Sequence, residues 1–215
     1  MANVQYGGFR PWGTLSGGEG VFPRPLRGEV ANNNSTGIFK YDILTAVSDG
    51  TVVAAAAADN GKLVGVCIGA SFVKSDGKRY PSDFIPASTT FTPTTVGSVN
   101  ASWVDFYPLT TDLVMEVDGS SSTGITTVAG AIGLIQENCD LATGSGDTTT
   151  GVSAMTLDIS THNTTTFNFR IISISNYPVA DIGIPAAIND VTITRAKYLV
   201  VCNEGILPGY SASGI

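Results

Sequence analysis

The side chains best suited to acid–base chemistry are three carboxylates that lie close together in the chain, Asp112, Glu116 and Asp118. Glycosidases need two carboxyl groups at close range, and alternation along a strand would place Glu116 and Asp118 on one face. The same arrangement is typical of a solvated strand face, and this is the interpretation that the sequence favours. A glycan hydrolase built on Glu116 and Asp118 therefore ranks last among the functions considered.

The single histidine and the three cysteines give little sign of nucleophilic catalysis. His162 lies in Ser-Thr-His-Asn, a loop-like context typical of a surface histidine, and no Gly-x-Ser-x-Gly elbow occurs. Cys67 and Cys202 lie inside apolar runs, where a thiol behaves as a small hydrophobe. With Cys139 the number of cysteines is odd, and no two of them have Cys-x-x-Cys spacing. We expect free thiols in a reducing cytoplasm, no catalytic residue and no enzymatic activity.

Metal and nucleotide sites are also poorly supported by the sequence. Asp140 and Asp147 flank a Gly/Thr/Ser-rich loop of the kind that can hold calcium, but the EF-hand pattern is absent. Potential zinc ligands are few and scattered. Neither a Gly-Lys-Ser/Thr phosphate loop nor a Gly-x-Gly-x-x-Gly turn after a strand occurs. We therefore expect neither a metal nor a cofactor.

The first thirty residues combine structure-breaking residues with large apolar side chains. Glycine and proline recur from Gly7 to Pro25, so we predict an extended N-terminal arm over residues 1–30 without a regular element of its own. An arm that carries anchoring side chains is suited to lie on another surface, which points to assembly. The residues expected to contact a partner are Phe9, Arg10, Pro11, Trp12, Leu15, Arg24 and Arg27.

Charge and hydropathy limit the partners that the chain can have. Hydrophobic residues make up 43% of the sequence, enough for a core, while charged residues make up only 13%. The net charge is −7, although residues 1–30 hold three arginines against two glutamates. An acidic body repels nucleic acid and anionic membranes, and no apolar run approaches the ~20 residues of a membrane span. The arginines of the arm suit carboxylates on a protein partner.

The remainder of the chain is typical of an all-β protein. Short β-prone runs recur between turn residues after the arm, so we predict a mostly β body, an antiparallel sandwich or barrel, over residues 31–207. A long polar excursion is expected at about 74–102, and a C-terminal tail at 208–215. The helical spacing of apolar residues from Ile125 to Ile132 predicts the one short helix. Whether the body is one barrel or two lobes stays open.

Two local signals predict details of strand pairing. Asp59-Asn60-Gly61 is a strong hairpin turn, so we expect residues 51–58 to pair with residues 62–70. Apolar residues alternate from Phe167 to Ile171 and then change phase at Ile172, and a slip of one residue is what a β-bulge produces.

Eight short motifs, in order from the arm to Glu204, carry a resemblance to a known family. They are Gly8–Gly17, Phe39–Asp42, Gly65–Gly69, Glu137–Asp140, Thr148–Gly151, Met155–Asp158, Arg170–Ile172 and Lys197–Glu204. Taken together, they resemble the capsid decoration or cement proteins of tailed bacteriophages. The resemblance implies a non-enzymatic, mostly β protein on the outside of an icosahedral head. Residues 80–102 and those after Glu204 have no counterpart in the family.

The function predicted on these grounds is that of a virion structural protein. It would bind the major capsid protein and stabilise the head as a homo-oligomer, with a trimer favoured, after synthesis in the host cytoplasm. The alternative is a head fibre or a carbohydrate-binding adhesin of the virion. Exposed Tyr80, Trp103 and Tyr107 would favour the alternative, because aromatic platforms stack on sugars.

Overall fold

The structure is a computed structural model of the 215-residue chain, and it contains mostly antiparallel strands. It describes residues 7–32, 34–57, 59, 62–74, 76–89, 102–120, 128–163, 167–175 and 196–203. Within them lie β1 Arg10–Thr14, β2 Gly18–Glu19, β3 Leu26–Glu29, β4 Ile38–Phe39, β5 Ile43–Ala46, β6 Val52–Ala54, β7 Leu63–Val73, β8 Arg79–Ser82, β9 Phe84–Ile85, β10 Trp103–Pro108, β11 Leu113–Asp118, α1 Val128–Gly133, β12 Asn138–Ala142, β13 Thr156–Asn163, β14 Phe169–Ile174 and β15 Lys197–Cys202.

The strands form two large sheets and one small one. The seven-stranded sheet has the order β13-β12-β14-β15-β11-β1-β2, and the six-stranded sheet contains β3-β10-β7-β5-β6 with β8 added along the end of β7. Strands β4 and β9 pair separately. Antiparallel pairing throughout these ladders, with one short helix in the described part, confirms the predicted mostly β body, and of the two architectures expected, the sheets are consistent with the sandwich.

Two apolar clusters hold the sheets together. The larger cluster joins the seven-stranded sheet to the six-stranded one, because it includes Ile43 and Val66 of the latter beside Met115 and Phe169 of the former. The second cluster covers the opposite face of the six-stranded sheet and includes Ile38 and Ile85. Strand β7 contributes to both clusters, which explains its nearly continuous apolar sequence.

The N-terminal segment is part of this body from the first described residue. Strand β1 lies inside the seven-stranded sheet between β11 and β2, and Phe9 is fully buried with its ring centroid 4.6 Å from that of Phe169. The expectation that residues 1–30 contain no regular element is wrong, because β1, β2 and β3 all lie within this range. Pro11 is tolerated in β1 because the ladder to β11 shifts register between Pro11 and Gly13.

The predicted hairpin between residues 51–58 and 62–70 is also wrong. Strand β5 lies between β6 and β7 and pairs with both of them. The tight hairpin is instead β5–β6, closed at Ser48-Asp49-Gly50. There the Asp49 carboxylate accepts hydrogen bonds from the Thr51 N–H at 2.9 Å and from the Thr51 hydroxyl at 2.6 Å. A turn signal fixes a local reversal of the chain, whereas it does not fix which strand lies beside which.

Other expectations hold where the structure describes them. The ladder between β14 and β15 shifts register between Ile171 and Ser173, which confirms the predicted bulge. Helix α1 ends at Gly133 as the apolar spacing indicates, although residues 125–127 lie outside the described residues. Strands β7 and β8 form an edge hairpin at the start of the excursion. Residues 1–6, 90–101 and the tail at 208–215 also lie outside the described residues.

Candidate docking surface

The tip of the β1–β2 hairpin is fixed by the carboxylate of Asp112, which directly precedes β11, the neighbour of β1 in the sheet. Asp112 Oδ1 accepts from the Ser16 N–H at 2.9 Å, and Oδ2 accepts from the Ser16 hydroxyl at 2.6 Å. The Asp112 carbonyl also accepts from the Leu15 N–H at 2.9 Å. These bonds hold Leu15 at the tip, where 58% of its surface is exposed. Asp112 therefore has a structural role at this turn.

Large exposed apolar side chains concentrate just after this tip. Of the five in the described part of the chain, four lie within residues 15–26 and form what we call the apolar ridge: Leu15, Val21, Phe22 and Leu26. The fifth, Ile132, is 54% exposed and lies on α1. The ridge runs from β2, the edge of the seven-stranded sheet, to β3, the edge of the six-stranded sheet. Exposed edges that carry apolar side chains are typical of contact surfaces.

Arginines flank the C-terminal end of the ridge. Arg24 is exposed. The Arg27 guanidinium bonds Asp105 at 3.0 Å and lies 4.2 Å from the centre of the Trp103 ring. Arg79 covers the same ring at 3.7 Å. Within residues 15–26 the exposed charged side chains are Glu19 and Arg24, and Arg24 is suited to pair with a carboxylate of a protein partner.

The structure divides the predicted contact residues into two groups. Leu15, Arg24 and Arg27 are exposed. Phe9 is a core residue, so its prediction as a contact is wrong, and Arg10, Pro11 and Trp12 are half-buried in β1, with Arg10 5.3 Å from the centre of the Tyr41 ring. Leu15 belongs to the apolar ridge, and Arg24 and Arg27 lie within or next to the ridge segment in the sequence. Val21 was missed because a single valine among glycines gives no periodic signal, whereas Phe22 and Leu26 are visible as large apolar residues between prolines.

The candidate catalytic carboxylates are buried, so their interpretation as a solvated face is wrong. Glu116 accepts from the Ser175 hydroxyl at 2.5 Å, and Asp118 Oδ1 lies 3.5 Å from Lys197 Nζ. Asp118 and Lys197 are directly opposite in the ladder of β11 and β15, with side chains 3% and 1% exposed. Both faces of β11 are buried, and these carboxylates have structural partners there.

The histidine and the cysteines also have ordinary structural surroundings. His162 lies at the end of β13, and its Nδ1 is 2.6 Å from Glu137 Oε2. All three thiols are free, as expected, and Cys139 is buried like Cys67 and Cys202. Burial raises the pKa of both Cys67 and Cys139 to about 12, so neither forms a thiolate nucleophile near neutral pH. Among the described residues, no group of three or more metal-ligating side chains comes together.

The aromatic residues that favoured a sugar-binding platform are in contact with side chains of the protein itself. The guanidinium groups of Arg27 and Arg79 both lie over the Trp103 ring. The Tyr80 ring stacks on Phe72, and its hydroxyl bonds Asp76 at 2.5 Å. Tyr107 stacks on Phe22 of the apolar ridge with ring centroids 5.2 Å apart. These residues therefore do not present a shared open aromatic face.

Comparison with known proteins leaves this surface as the main guide to function. No protein-family model matches the chain, and neither the curated proteins nor the solved structures include a significant match. In the part of the chain that is described, no helix has both the length and the apolar character needed to cross a membrane.

Proposed function

We propose that this protein is a non-enzymatic structural protein of a bacteriophage virion, which binds the outer capsid surface and stabilises the head as a decoration or cement protein. The apolar ridge is the observation that carries the proposal. Burying exposed apolar surface drives most protein–protein association, and soluble monomers rarely keep such residues together on the surface without a partner. The apolar ridge is the part of the protein that contacts the major capsid protein under this proposal.

The architecture supports this assignment through rigidity and position. The hairpin tip is pinned by Asp112, so Leu15 is held in place before binding, and such preorganisation lowers the entropy lost on association. Arg24 is exposed within the ridge segment and supplies donors for carboxylates of the partner, whereas Arg27 is already paired with Asp105. The family resemblance supplies the nature of the partner and the expected trimer.

The contact is tested with capsids that lack the protein, to which purified variants are added and bound protein is measured by sedimentation. Fully burying a Leu or Phe side chain contributes about 1.5–3 kcal/mol. Since 58% of Leu15 and 39% of Phe22 are exposed before binding, Leu15→Ser and Phe22→Ser together should remove about 1.5–3 kcal/mol and lower affinity by about tenfold to a hundredfold. Ile132→Ser is the matched control, because it removes an equally exposed apolar side chain from α1.

The expected result is loss of binding in the ridge variant and unchanged binding in the Ile132 control, with both variants as stable as the natural protein. Equal binding by both variants would show that the ridge is not the contact. Light scattering on the free protein tests the oligomer, since a trimer has three times the 22.2 kDa mass of the chain.

A further inference from the structure

A cleft of about 590 Å³ lies beside the two-stranded sheet of β4 and β9, away from the residues of the apolar ridge. One wall consists of residues 35–37 and 86–87, and the other of residues 143–146 together with Thr148. Phe39 and Asp42, both buried, lie at its base. The volume falls within the range of about 300–1,000 Å³ that is usual for small-molecule sites.

Both walls are held in place by contacts behind them. The Asn34 side-chain amide donates to the Thr36 carbonyl at 2.6 Å, and the Asn34 carbonyl accepts from the Ser88 N–H at 2.7 Å. On the other wall, the backbone of Gly146 lies flat on the Phe39 ring, so closely that a Cβ there would be 2.2 Å from a ring carbon. The cleft is therefore preformed, which favours binding of a small ligand.

The lining of the cleft is rich in hydroxyl groups and contains no basic side chain. The hydroxyls belong to Ser35, Thr36, Thr143, Ser145 and Thr148. Asp42 is the one ionisable residue of the lining, and its Oδ2 accepts from the Phe39 N–H at 2.7 Å while its buried Oδ1 has no hydrogen-bond partner among the described residues. Burial raises the pKa of Asp42 to about 7, although the nearby Ser153 hydroxyl and the Phe39 N–H offset part of this effect.

These groups select a ligand by charge and by hydrogen bonding. A phosphate or carboxylate ligand would find no cation in the lining and would meet Asp42. The hydroxyl-bearing residues of the lining are all exposed, so their hydroxyls bond to water in the free protein, and an apolar ligand would displace that water without replacing its hydrogen bonds. A neutral polyol matches both features, because each of its hydroxyls donates and accepts.

We propose that this cleft binds a neutral saccharide, held by the hydroxyl-lined walls above the Phe39–Asp42 base. The site is separate from the apolar ridge, and the proposal does not depend on the virion role. It also differs from an aromatic platform, since Tyr80, Trp103 and Tyr107 take no part in the lining.

The test is saturation-transfer NMR and calorimetry on the full chain near neutral pH. The probes are glucose, galactose, mannose, N-acetylglucosamine, maltose and lactose, with glucose-6-phosphate as the charged comparison. Ser145→Trp places a large side chain on the wall of the cleft, and Thr149→Trp is the matched control because Thr149 is exposed in the same loop but outside the lining.

At least one neutral sugar should bind, with affinity reduced about tenfold or more by Ser145→Trp and unchanged by Thr149→Trp. In the natural protein, the backbone amide signals of Ser145 and Gly146 should shift on binding, a readout that does not depend on the folding of a variant. The proposal is overturned if no neutral sugar binds at about 20 mM, if only the phosphorylated sugar binds, or if the shifts lie outside the cleft.

Discussion

The buried carboxyl of Asp42 should make the stability of this protein depend on pH in a way that one substitution removes. Its pKa is raised from an ordinary value of 3.8 to about 7, chiefly because burial disfavours the charged form. The folded state then holds a proton on Asp42 at pH values where the unfolded chain has released it. Stability due to this group is complete below the unfolded pKa and is lost as pH rises through the folded value.

The size of this effect follows from the separation of the two pKa values. Each unit corresponds to ~1.4 kcal/mol, so a shift from 3.8 to about 7 amounts to about 4 kcal/mol of unfolding free energy between pH ~4 and pH ~8. Asp42→Asn keeps an acceptor for the Phe39 N–H but cannot ionise. The variant should therefore lose less stability than the natural protein over the same interval.

The measurement is urea unfolding followed by the fluorescence of Trp12 and Trp103, at several pH values across this interval. Asp147→Asn is the control of opposite sign, because hydrogen bonds from the Thr149 N–H and the Thr150 hydroxyl lower the pKa of Asp147. The free energy of unfolding of Asp147→Asn should differ from that of the natural protein mainly above pH ~4, and by a constant amount there. Parallel pH profiles for the natural protein and Asp42→Asn would refute the argument.

Three further predictions concern the core. Phe9→Ala should lower the free energy of unfolding by about 3–5 kcal/mol because it empties a fully buried site, whereas Leu15→Ala at the exposed tip should change it by less than about 0.5 kcal/mol in urea unfolding. Lys197→Met should lower the free energy of unfolding by about 3–5 kcal/mol, because it leaves Asp118 buried without this cation. The double variant Lys197→Met with Asp118→Leu should recover roughly half or more of that loss. Equal losses in the single and the double variant would contradict a coupled pair. The three buried thiols should react with Ellman's reagent only after denaturation, and fast reaction in the native protein would contradict their burial.

The strands and one bulge could be predicted from sequence because their signals are local. Alternation of apolar residues and its slip after Ile171 are properties of consecutive residues, and the ladder shifts register there. The pairing of β5 with both β6 and β7 was not predictable in this way. This pairing depends on how the strands pack in the core. The turn signal at residues 59–61 does not indicate that β5 lies between β6 and β7.

The surroundings of the polar residues were the hardest part to predict. Glu116 and Asp118 alternate as solvated residues would, but their partners Ser175 and Lys197 are far away in the sequence. Phe9 lies among glycines, which suggested a free arm until its contact with Phe169 was known. The apolar ridge could be predicted in part, since exposed Leu15 and the arginines were already expected to contact a partner.

The central claim is that this protein covers the outside of a phage head, and its copy number in the particle tests that claim most directly. Purified particles are digested, and peptides of this chain are quantified by mass spectrometry against those of the major capsid protein. A decoration or cement protein should be present at a ratio near one to one. A ratio of a few per cent would instead indicate a fibre or tail component, and absence from the particle would contradict the virion role altogether.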